Sequence, residues 1–125
     1  MKLILLIGLA GLTGTLLRYF SVRWVNGLFP GFPWGTLAVN IAGAFIAGFC
    51  FVMCRLKFQQ FEEYFPILFT GFLGAFTTFS TFALESSRFF ADAQYGKFIG
   101  NILLQNFTGL AAAYGGMIVS KFLFR

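Results

Sequence analysis

The chain has 125 residues, an apolar fraction of 58%, a charged fraction of 10% and a net charge of +5, with a mean hydropathy of +0.82. Soluble domains carry about 25% charged residues, so this composition excludes a water-soluble globule and defines a membrane protein, with one domain over residues 1–125 as the default at this length. The sequence has no histidine, which removes the commonest metal ligand and the commonest general base. Its basic residues form no run or face of the kind that binds nucleic acid; they sit in loops and at helix ends, where anionic headgroups lie.

In chain order, "MKLILLIGLAGLTG" has the single Lys and apolar core of a secretory signal, but no A-x-A cleavage site follows. It predicts a retained first span, uncharged from Leu3 to Leu17, with Arg18 snorkelling to the interface beside Tyr19. "NGLFPGFPWG" reads as a loop from its Gly and Pro punctuation, which starts the second helix near Trp34. That run ends at Cys54, and two further uncharged runs cover Tyr64 to Leu84 and Phe98 to Ser120. A helix crosses the hydrocarbon core with about 20 residues, so four spans are predicted, with loops near 21–33, 55–65 and 88–97. Cys50 and Cys54 are four apart, not in the CxxC spacing of redox or zinc sites, and read as buried inert thiols. Small residues allow close helix approach in lipid: Gly8, Gly11 and Gly14 in the first span, Gly43/Ala47 and Ala44/Gly48 in the second, Ala112/Gly116 in the fourth.

An even number of spans puts both termini on one face. That face carries Lys2, Arg55, Lys57, Lys121 and Arg125, and the opposite face Arg18, Arg23, Arg88 and Lys97. Orientation follows the Lys/Arg excess, and five against four is almost none. The balance predicts insertion in both orientations and an antiparallel homodimer; a single fixed topology is the alternative.

Polar side chains at membrane depth are costly and mark functional sites by default. Asn40 is the first, as helix glue or as part of a pathway. Asn101, Gln105 and Thr108 lie at i, i+4 and i+7 and share a face, as a wet track would require; Asn106 falls about 100° away. Glu85 and Arg88 are either an exposed pair or a pore-mouth carboxylate with its neighbour. "GAFTTFSTF", residues 74–82, sets Thr77, Thr78, Ser80 and Thr81 among Phe76, Phe79 and Phe82. With Gly71 and Gly74 just before, it predicts a break near the middle of the third helix. Carbonyls freed at that depth must line a cavity or meet an ion. The hydroxyls rotate to donate or accept, and a phenylalanine ring presents a partially positive edge that suits an anion; packing is the plainer role for three rings among 20 phenylalanines.

"GLTGTLLRY", "GTLAVNIAGAF" and "GFLGAFTTFSTF" together resemble the Fluc fluoride channels, also called CrcB proteins. The resemblance implies a passive fluoride channel of the bacterial inner membrane, an antiparallel homodimer with two pores. It also implies a structural Na⁺ at the dimer centre, held by the main-chain carbonyls of Gly74 and Thr77. On the same basis Phe79, Phe82 and Asn40 line the fluoride path with the hydroxyls of Ser80 and Thr81, and Arg18 is the arginine of the first motif. Asn101, Gln105 and Thr108 would form the polar track of the fourth helix, where this chain departs from the family's hydroxyl-rich pattern. A proton-coupled multidrug transporter of four spans is the rival, but it needs a carboxylate in the first helix, and that span has none. A non-transporting membrane subunit would leave the polar stripe unexplained, and no nucleophile and base pair supports an enzyme.

Overall fold

With no water in hydrocarbon, each span must satisfy its own backbone, and the chain does so almost wholly with helices. The computed structural model describes residues 1–125. Four helical stretches are long and apolar enough to cross a membrane, Lys2–Leu28, Trp34–Lys57, Gln59–Ala91 and Tyr95–Phe124. The first and second are α1 (Lys2–Leu28) and α2 (Trp34–Lys57). The third combines a 3-10 segment (Gln59–Tyr64), a π-helical turn (Ile67–Leu73), α3 (Gly74–Phe76) and α4 (Phe79–Ala91). The fourth is α5 (Tyr95–Phe124).

The connections are shorter than the sequence predicts. α1 continues through Arg18 and Arg23 to Leu28, leaving only residues 29–33 before α2, and residues 92–94 join α4 to α5. Both arginines border the polar cavity described below, and Arg23 donates to the Tyr19 hydroxyl one turn back at 3.3 Å. Asn26, read as a loop residue, lies in the last turn of α1, where its Oδ1 accepts the Gly35 N–H at 2.7 Å. It thereby caps α2, whose own cap position is Pro33 with no side-chain acceptor. A Cβ at Gly35 would stand 2.6 Å from the Val22 carbonyl oxygen, so glycine is what lets the two helix ends meet.

α2 and α5 form the main helix pair. Gln105 meets Asn40, and the Ala113 carbonyl lies on Gly48 further along both helices, so the helices run parallel; the Phe45 carbonyl also lies on Gly116. A Cβ on Gly48 or Gly116 would collide with the opposing backbone. α1 crosses the third span at its π-helical turn, where Gly14 admits the Phe72 carbonyl and a Cβ on Gly71 would lie 2.8 Å from the Ile7 carbonyl oxygen. The largest fully buried side chains are Asn101, Thr36 and Ser120. The interior is thus notably polar, while Leu, Ile and Phe face outward, the arrangement lipid favours. Cys54 is buried, Cys50 half-buried, and both are free thiols.

Gly48→Val and Gly116→Val should each destabilise the protein by about 1–3 kcal/mol, the usual range for overpacking. Gly115→Ala, with open space around it, should not. Thermal unfolding in detergent checks the contrast.

Candidate functional site: a broken helix between two cavities

Two consecutive threonines leave the helical conformation. Thr77 has φ −88° and ψ 160°, and Thr78 has φ −151° and ψ 112°. Thr78 is the N-cap of α4, its Oγ1 accepting the Thr81 N–H at 3.2 Å, a role that suits a threonine in extended conformation. The extended peptide is then held by one side chain. Asn40 Oδ1 accepts the Thr78 N–H at 2.8 Å, and Asn40 Nδ2 donates to the Thr78 carbonyl at 3.1 Å. The amide pairs with this residue as a neighbouring strand would. Nδ2 also donates to Gln105 Oε1 at 3.0 Å, which ties the clamp to α5.

These bonds have a consequence for two carbonyls. In an unbroken helix the Thr78 N–H would serve the Gly74 carbonyl and the Thr81 N–H that of Thr77. Both donors are diverted, one to Asn40 and the other to Thr78 Oγ1. Gly74 and Thr77 therefore lose their helical donors, and both line an open groove of about 450 Å³. Thr77 itself is fixed from below, its N–H and its Oγ1 both donating to the Leu73 carbonyl at 3.0 Å. Its methyl group lies over Gly43 of α2, where a Cβ would collide with it. The side chain of Thr77 thus orients the carbonyl. Uncharged oxygen donors of this kind fit a hard cation such as Na⁺, and the groove would expose them to a second chain.

Asn40, Gln105, Phe79 and Phe82 line the same groove, over Gly43, Ala44, Ala47 and Gly109. Phe79 and Phe82 are three apart at the start of α4 and share a face; their rings meet edge to face, centroids 5.5 Å apart at 66°. Phe79 is 77% exposed while Phe82 is buried. Phe76, the remaining ring of the motif, is buried and stacked on Phe72, and only packs.

A second cavity, about 430 Å³, lies on the other side of the break and is lined by Arg18, Arg23, Thr15, Thr36, Thr78 and Thr81. Thr78 is common to both cavities, and no carboxylate lines either one. Its hydroxyl donates to Thr81 Oγ1 at 2.9 Å and lies 3.4 Å from Ser80 Oγ. One helical turn from the clamp, Thr36 donates to Glu85 Oε1 at 2.7 Å and Asn101 Nδ2 donates to Ser86 Oγ at 3.0 Å. Glu85 is thus tied to α2 and lines neither cavity.

The stripe read on the fourth helix separates. Asn101 is wholly buried and braces α4. Gln105 reaches the groove, where its Nε2 is a buried donor without a partner. Thr108 donates back to the Leu104 carbonyl at 2.5 Å and is absent from the groove lining, whereas Asn106 and Gly109 belong to it. Of the stripe through 101, 105 and 108 only Gln105 lines the groove; the neighbouring helix fixes which edge of an α-helix faces it.

These features define a polytopic helical membrane protein with a discontinuous helix at its centre, two cavities that share Thr78 at the break, and freed backbone carbonyls. Comparison with known proteins agrees. The family model described as CrcB-like protein, Camphor Resistance (CrcB), matches residues 5–117. A fluoride-specific ion channel FluC of Legionella pneumophila (strain Lens) is 40% identical, covering 95% of this chain and 90% of that protein. A protein of the same name from Rhizobium etli is 39% identical over 95% and 96%, and one from Solidesulfovibrio magneticus 38% over 94% of each. The chain belongs to the CrcB family.

Asn40→Ala leaves the Thr78 N–H and carbonyl without partners, at about 1–3 kcal/mol for each orphaned group. Its thermal stability should fall well below that of Thr108→Val, which loses only a bond within its own helix. Thr77→Val should be more harmful than Thr77→Ser, which keeps the bond to Leu73.

Proposed function

We propose that two copies of this chain, inserted in opposite orientations, form a passive fluoride channel that lets F⁻ leave the cytoplasm across the bacterial inner membrane. The observation that carries the reading is Thr78, which lines both the arginine cavity and the phenylalanine groove. In this reading a small anion passes the break at that one residue. The names of the relatives and the three sequence motifs support fluoride as the ion.

Fluoride is strongly hydrated, so each water lost needs a replacement contact, and in a low-dielectric interior weak dipoles count for more. Arg18 and Arg23 raise the anion concentration at the mouth. The hydroxyls of Thr78, Ser80 and Thr81 can turn a donor toward the ion. The unpartnered Gln105 Nε2 offers a further donor, and the edges of Phe79 and Phe82 carry partial positive charge without a fixed ion to trap fluoride. Asn40 keeps this path assembled rather than contributing a free group, since both its amide atoms are engaged. Asn101 and Glu85 act behind the path as braces, whereas Thr108 bonds only within α5.

The groove is the surface on which the second copy packs, its floor of small residues allowing close approach. The carbonyls of Gly74 and Thr77 from both copies hold a structural Na⁺ there. Bound, the ion satisfies oxygens that lipid cannot, and its charge favours an anion nearby.

The test is efflux from liposomes reconstituted with the pure protein: fluoride should leave rapidly and chloride should not. Phe79→Leu and Phe82→Leu keep the bulk but lose the ring quadrupole, and each folded variant should carry fluoride at least tenfold more slowly, a barrier rise of about 1.4 kcal/mol. Wild-type rates in both would reduce these rings to packing. A cysteine added at the C-terminus should label from both sides of the membrane, and one-sided labelling would rule out the antiparallel pair. Replacing Na⁺ with a large organic cation should abolish flux; unchanged flux in verified Na⁺-free buffer would overturn the metal assignment.

A further inference from the structure

At the end of α2 a third recess, about 310 Å³, opens between that helix and the start of the third span, lined by Phe51, Cys54, Arg55, Glu62, Phe65 and Phe69. It lies apart from the break except at Phe69, which borders both. Its charges are one of each sign. The Arg55 guanidinium rests over the Phe51 ring, 5.5 Å from the centroid, and is not consumed by an ion pair with Glu62. Charged groups that share a recess without pairing leave a place for a molecule carrying both opposite charges.

The walls give that molecule a shape. Phe65 and Phe69 are one turn apart on the third span, their rings edge to face at 6.4 Å, and Phe51 lies one turn before Arg55 on α2. Since a helical turn rises about 5.4 Å, the recess is charged at its outer rim and aromatic one turn inward. Around it Phe58, Phe61 and Tyr64 are exposed, the aromatic pattern of a membrane interface. A ligand charged at one end and apolar below, at headgroup level, is a phospholipid.

We infer that this recess binds the headgroup of a zwitterionic aminophospholipid, phosphate on Arg55 and primary ammonium on Glu62, with the start of an acyl chain against Phe51, Phe65 and Phe69. Arg55 offers the planar fork that suits phosphate. Glu62 accepts hydrogen bonds, which a primary ammonium donates and a quaternary one does not. The pairing therefore distinguishes phosphatidylethanolamine from phosphatidylcholine of the same net charge, and from anionic phosphatidylglycerol, which has no cation for Glu62.

Delipidated protein in detergent, titrated separately with phosphatidylethanolamine, phosphatidylcholine and phosphatidylglycerol of matched chains and read by native mass spectrometry, tests the assignment. Phosphatidylethanolamine should be retained about tenfold more tightly than either other lipid, the scale of one charge-assisted hydrogen bond. Glu62→Gln should erase the preference over phosphatidylcholine, Arg55→Gln should weaken both zwitterions, and Glu63→Gln should change nothing. Thermal unfolding of each variant separates lost binding from lost fold. Equal retention of the three lipids, a stronger phosphatidylglycerol complex, or a full preference surviving in folded Glu62→Gln would each overturn it.

Discussion

The site depends on one constraint: a backbone that leaves the helix inside a membrane must find partners within the protein. The Asn40 amide answers it by receiving the Thr78 N–H and donating to the Thr78 carbonyl. Everything else about the break follows from that pairing. It holds Thr78 extended, so α4 restarts with Thr78 as its cap. It takes the Thr78 N–H away from Gly74, while the cap takes the Thr81 N–H away from Thr77. It also fastens the break to α5 through Gln105. Of the two roles the sequence leaves open for Asn40, the one seen directly is the interhelical hydrogen bond.

Packing around the break serves the same end by a different means. Bulky apolar residues have little reason to associate when lipid tails are equally apolar, so close helix contact rests on backbone meeting backbone. Gly48 and Gly116 bring α2 and α5 near enough for Asn40 to reach Gln105, and Gly14 and Gly71 bring α1 onto the π-helical turn. Polar rungs between the helices, Thr36 with Glu85 and Asn101 with Ser86, then fix the position of α4. The apolar majority of the sequence mainly makes the outside acceptable to lipid.

Much of this is legible in the residues alone. Composition and run length mark out the four spans, and the Gly and Thr/Ser cluster of residues 71–81 locates the break, because both rest on local chemistry. The length of α1 is not legible: Arg18 and Arg23 look like an interface until α4 and the start of α2 are seen to build a polar cavity beside them. Asn26 looks like loop punctuation because its partner, Gly35, is beyond the turn. Which edge of α5 meets the groove is not legible between Thr108 and Asn106, because periodicity gives a face but not its boundary. The π-helical turn at Ile67–Leu73 has no sequence signal, being the accommodation of the third span to α1. What escapes the sequence is in each case decided by a neighbour.

The pairing of α2 with α5 also dictates an order of events during synthesis. Asn40 is separated from Gln105 by 65 positions along the chain, and Gly48 stands equally far from Ala113. The ribosome must therefore complete nearly the whole polypeptide before the second span has its permanent neighbour. Until then the small-residue face of α2 is exposed to lipid or to the insertion machinery, with Asn40 held only by the third span. α5, made after the other three spans, is the helix that locks α2, so the fold is completed only once that fourth span is inserted rather than span by span.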